Sequence, residues 1–287
     1  MNESDPNLTR QVPPTGAEPA SEAPAPLPLG PKLPEDLRAP WGWPDLLVFV
    51  FFGIGSAIVS AQVAGIAILM WMGVSPASYA KHPTALAAHA TMAQALWSLV
   101  IMLYLFAMIR VRFDRGFWRA MGWRTLRLEG ATPLSSCLLC LFGGGALAIL
   151  IQLASAFVTT DRKLPIQELF QTREGVLFVA AAAILVAPLV EETVFRGFLY
   201  PVLARSWGVA AGVIFTGMLF GLVHAMQLSG GYGQIGLLMV VGIVLTYVRA
   251  RTGTVVASFL LHLGYNTLLF VAFYFATDGF RELSKLS

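Results

Sequence analysis

From residue 45 onward the chain consists of long apolar runs with short polar interruptions. The runs fall at about Asp45–Met72, Ala85–Ile109, Leu134–Val158, Gly175–Val190, Val209–Met226, Ile235–Val248 and Val255–Ala276. Crossing the hydrocarbon core takes roughly 20 helical residues, and several runs meet that length. The fourth and sixth are short, and each continues into more polar sequence. None alternates polar and apolar residues in the manner of barrel strands, and helices and closed barrels are the only backbones that satisfy themselves in lipid. The pattern predicts an all-α polytopic transmembrane helical bundle of about seven helices, within a range of six to eight. No internal repeat is visible.

Residues 1–40 stand apart. Ten of the seventeen prolines lie there, mixed with Ala, Glu and Ser. Such a segment has little apolar surface to bury and is expected to be a disordered, extended tail. It has neither the basic start nor the apolar core of a signal peptide. The expected organisation is this tail, a bundle over residues 41–277 and a short C-terminal tail over 278–287. Trp41, Gly42, Trp43 and Pro44 read as an aromatic cluster at the membrane interface.

Composition agrees with a lipid-solvated chain. Hydrophobic residues make up 56% of it and charged residues 12%, about half the charged share of a soluble domain. A net charge of +3 carries no nucleic-acid signature, so no nucleic-acid partner is expected. Its distribution is more telling. Six arginines between Arg110 and Arg127 face a single acid, Asp114, among Phe113, Phe117, Trp118, Met121 and Trp123. This basic, aromatic connection is expected at the cytoplasmic surface, with Arg249 and Arg251 on the same side. Seven helices then put the N-terminus inside and the loop Thr159–Glu174 outside. Cys137 and Cys140 form a CxxC within an apolar run and read as packing residues.

The strongest chemical signal is acid inside an apolar run. Of sixteen carboxylates, nearly all sit in the tail, loops or helix ends. Glu191 and Glu192 are embedded in ILVAPLVEETVFRGFLY, where an ionised group is costly and usually faces a cavity. Arg196 lies one turn after Glu192 and is placed to pair with it. Glu191 points about 100° away on the same helix and is free to meet another neighbour. His224 lies deep in the fifth run, one turn after Phe220. His262 and Asn266 share one face of the last run. His82 and His89 read as interfacial or packing residues. If the chain reverses near Ser206–Trp207, Glu191 and His224 fall at similar depth, with His262 able to join them.

These residues carry a resemblance. EETVFR, from Glu191 to Arg196, resembles the EExxxR motif of the CAAX-protease and bacteriocin-processing (CPBP, or Abi) family. Phe220 to His224 resembles its FxxxH motif, and His262 to Asn266 its HxxxN motif, all in the family's order. The likeness covers about residues 175–275, and Met121-Gly122-Trp123-Arg124 is also similar to the family's style. It implies an intramembrane endopeptidase related to type II CAAX prenyl endopeptidases, in which Glu191 activates water with His224 beside it. His262 and Asn266 would stabilise the oxyanion, supported by Glu192 and Arg196.

The chemistry stands without the family, since amide hydrolysis needs a base for water and a donor for the oxyanion. Glu191, His224 and His262 also read as a two-His, one-carboxylate set for a divalent metal such as zinc, and that alternative stays open. No HExxH is present. Expected partners are membrane lipid and a peptide or lipidated protein substrate. The expected location is the membrane, multi-pass, and the plasma membrane in a bacterium. Two rival readings remain at this level: a non-catalytic scaffold or bacteriocin-immunity protein, and an ion-coupled transporter, for which the repeats or paired broken helices are not seen.

Overall fold

The computed structural model describes residues 34–158 apart from 74 and 80, together with 170 and 172–283. Seven apolar helices follow one another: α1 (Trp43–Met72), α2 (Thr84–Arg112), α3 (Pro133–Ser155), α4 (Arg173–Trp207), α5 (Val209–Val223), α6 (Tyr232–Thr252) and α7 (Val255–Ala276). Among the described residues, all but α5 are long and apolar enough to span a membrane. The protein is a multi-pass, all-helical membrane bundle. The loop expected outside over 159–174 lies mostly beyond the described residues, as do residues 1–33.

The helix ends have local causes. Pro44 and Pro133 sit in the first turns of α1 and α3, where a missing N–H leaves nothing unsatisfied. The hydroxyls of Thr132, Thr172 and Thr254 accept the first free amides of α3, α4 and α7. Gly208, at φ 85°, separates α4 from α5 in a conformation that favours glycine.

At 15 residues, α5 runs about 22 Å, short of the roughly 30 Å hydrocarbon core. It is followed by turns from His224 to Gly230 before α6 begins; within a membrane, non-helical backbone is tolerated where it lines a cavity or is covered by protein.

Glycines let the helices that carry the site approach closely. A Cβ on Gly144 of α3 would lie 1.9 Å from the Leu261 carbonyl of α7, and one on Gly264 of α7 would lie 1.9 Å from the Leu141 carbonyl. Likewise, a Cβ on Gly242 of α6 would sit 2.6 Å from the Gly217 carbonyl of α5. Such small-residue contacts replace the hydrophobic drive that lipid removes.

Two expectations need correction here. The segment read as a solvated tail is packed from Pro34 onward. Leu37 is buried, and Asp36 accepts a hydrogen bond from Arg249 at 2.9 Å. Arg205 donates to the carbonyls of Ala39 and Trp41, and the Trp41 indole donates to the Phe198 carbonyl at 2.8 Å. Trp41 is thus a buried anchor rather than an interfacial residue, while Trp43 is exposed. Arg249, expected on the same side as the basic connection, is fully buried under this segment. Its compensation by Asp36 is what makes burial of a guanidinium tolerable.

Candidate active site

The site is built where α4 departs from regular α-helix. Two π-helical turns, Ala182–Val186 and Thr193–Leu199, flank Glu191 and Glu192. Each wide turn frees backbone groups and re-aims side chains, and such turns occur frequently at functional sites. The freed carbonyls find partners elsewhere: Ala183 accepts from Asn266 of α7 at 2.7 Å, and Phe198 accepts from Trp41.

Glu192 and Arg196 are both fully buried. Arg196 donates to Glu192 at 2.9 Å, to the Thr246 hydroxyl at 3.1 Å and to the Gly242 carbonyl at 2.8 Å. Its guanidinium also lies 4.6 Å from the centre of the Phe220 ring, a favourable cation–π position. The same Glu192 oxygen meets His262 Nδ1 at 3.0 Å. Thus Glu192 ties α4 to α7, and Arg196 ties α4 to α6.

Glu191 faces the other way. One of its oxygens is 3.8 Å from His224 Nε2, and the other is 3.9 Å from His262 Nε2. These gaps exceed a direct hydrogen bond but are short enough for one water to touch both sides. The tautomers follow from the other ring nitrogens. The Phe220 carbonyl, 2.8 Å from His224 Nδ1, only accepts, so Nδ1 carries the proton. In His262, Nδ1 donates to Glu192. In the neutral ring each Nε2 is therefore a free acceptor pointed toward Glu191. A cavity of about 310 Å³ adjoins this cluster; Glu191, His224, His262, Tyr265 and Asn266 line it.

The structure thus brings all six residues singled out in the sequence into one connected region. One detail differs: His224 is not deep within a helix but caps the C-terminus of α5. Asn266, read as an oxyanion donor, already gives one amide hydrogen to Ala183 and has one more to offer. His89 lies apart, bonded to the Tyr79 hydroxyl and the Ala61 carbonyl. Thr246, Gly242 and Tyr265 were not legible as site residues. Hydroxyls and glycines in apolar runs are common, and only the fold shows which of them face Arg196 or the cavity.

Two of the three groups offered for a metal are histidines with free Nε2 atoms, which suits zinc. Their spacing does not. Among the described residues no group of three or more His, Cys, Asp or Glu side chains is placed to hold a metal ion. Ligand atoms on a tetrahedral zinc lie roughly 3.3 Å apart at the usual bond lengths, closer than the 3.8 and 3.9 Å found here.

The described bundle gathers acid, imidazole and amide groups around an internal cavity. Residues 173–268 match the family model described as type II CAAX prenyl endopeptidase, Rce1-like. Over that stretch the chain is similar to this family. No curated protein and no solved structure shows a significant match to it.

Proposed function

We propose that the protein is an intramembrane endopeptidase that hydrolyses a peptide bond in a membrane-associated or prenylated substrate, using water activated by Glu191. The observation that carries this reading is the placement of one half-buried carboxylate between two histidine Nε2 atoms, beside a cavity within the bundle. Water held there gives one proton to Glu191 and keeps the other, which donates a hydrogen bond to His224 Nε2. The resulting hydroxide attacks the peptide carbonyl. Asn266, through its remaining amide hydrogen, and His262, from Nε2 when protonated, stabilise the oxyanion. Glu192 and Arg196 keep His262 in register. The family match supports a CAAX-type membrane endopeptidase, and membrane lipid and a peptide or lipidated protein are the partners the reading requires.

The test uses purified protein in detergent with a quenched fluorescent prenylated peptide and its unprenylated twin. Wild type is run beside Glu191→Gln, with and without chelator. The reading expects cleavage that the substitution abolishes and chelator spares. Cleavage lost to chelator and restored by zinc would replace the glutamate-only route by a metal route. A peptide panel left intact by wild type would favour a non-catalytic scaffold.

A further inference from the structure

Oxyanion stabilisation requires donors not already spent on the protein itself. In this site most are spent. His262 Nδ1 is committed to Glu192, and one Asn266 hydrogen goes to Ala183. The hydroxyl-bearing residue of the same helix that lines the cavity is Tyr265, three residues after His262 and next to Asn266. It is only 6% exposed. It belongs to a buried apolar cluster with Ala148, Val241, Leu245 and Leu261. Its hydroxyl makes no hydrogen bond among the described residues, and it is not one of the sealed side-chain atoms left without a partner, so it keeps contact with accessible space. A phenol held rigidly at a cavity wall without a partner is suited to a ligand that enters.

We infer that Tyr265 is a further catalytic residue, whose O–H donates to the substrate carbonyl oxygen as it becomes an oxyanion. This rests on the hydrolase reading above. In the step, Glu191 takes a proton from water and the hydroxide oxygen bonds to the carbonyl carbon. The π pair moves to the carbonyl oxygen, where the Tyr265 hydroxyl meets it. On collapse the carbonyl reforms, the C–N bond breaks, and the leaving amine takes the proton from Glu191. Tyr265 keeps its own proton throughout.

Tyr265→Phe removes the hydroxyl and leaves the packed ring. Wild type, Tyr265→Phe and Glu191→Gln are compared on a peptide that wild type cleaves, with thermal unfolding recorded for each. Loss of one oxyanion donor lowers kcat by about 10²- to 10³-fold, and KM is expected to stay near the wild-type value. A phosphinate peptide that mimics the tetrahedral state is expected to bind more weakly by a similar factor, while the plain peptide binds as before. The unfolding temperature is expected not to fall, because the lost hydroxyl has no partner in the fold. A Tyr265→Phe enzyme with wild-type kcat overturns the assignment and leaves the hydrolase reading intact, provided Glu191→Gln is inactive. A Tyr265→Phe defect confined to KM also overturns it. A wild type that cleaves no peptide overturns both.

Discussion

Glu191 and Glu192 are neighbours in sequence and meet two unlike surroundings. Glu192 enters a closed network in which Arg196 has three hydrogen-bond partners at 2.8–3.1 Å and both side chains are sealed from solvent. Glu191 meets an open cluster, with 20% of its side chain exposed and, among the described residues, no basic group closer than 3.8 Å. The 100° turn between successive helical residues suffices to send one acid into helix packing and the other into a cavity. A buried pair of this kind contributes little net stability but is costly to break. A carboxylate beside a cavity keeps its oxygens for something that enters. In the proposed hydrolase, two adjacent acids would thus supply a positioning group and a reactive group from one turn of helix.

Substitutions that separate the two surroundings test that division. The largest effect is expected at Glu191→Gln, which keeps shape and removes the base. Turnover should fall by about 10³- to 10⁴-fold, while unfolding in detergent stays at the wild-type temperature. Next comes Arg196→Met, which strands Glu192 without its countercharge. A loss of about 3–5 kcal/mol in stability is expected, read as a large drop in unfolding temperature, with activity lost alongside. Gly242→Ala pushes a methyl into the α5–α6 contact, where the nearest atom would be 2.6 Å away. Overpacking of this sort costs about 1–3 kcal/mol. A partial fall in cleavage should accompany it, because the Gly242 carbonyl also holds Arg196. The smallest effect is expected at Thr246→Val, which removes one partner of Arg196 and costs about 1 kcal/mol. Unfolding of the purified variant by heat or denaturant checks it.

Much of this arrangement was legible before the fold was known. The apolar runs located the seven apolar helices of the described residues, and the i,i+4 spacing of Glu192 and Arg196 anticipated their ion pair. Counting residues from the chain reversal near Trp207 anticipated that Glu191 and His224 meet. What stayed hidden has physical reasons. The π-helical turns around Glu191 depend on bonds to distant residues, such as Asn266 to Ala183 and Trp41 to Phe198, and leave no local signature. The segment at Asp36 and Leu37 looked like tail because its composition is proline-rich. Its docking depends on Arg249, more than two hundred residues away. Tyr265 reads as one more aromatic in an apolar helix until the cavity and the missing partner are seen together.

The most direct measurement follows cleavage of a membrane-associated peptide by Glu191→Gln in H₂¹⁸O beside wild type, with the unfolding temperature of both proteins recorded. The account predicts that wild type releases a product with one ¹⁸O in its new carboxylate. It predicts a Glu191→Gln protein that unfolds at the wild-type temperature and releases this product about 10³- to 10⁴-fold more slowly. Product formed by Glu191→Gln at the wild-type rate would contradict the central claim that this carboxylate activates the attacking water.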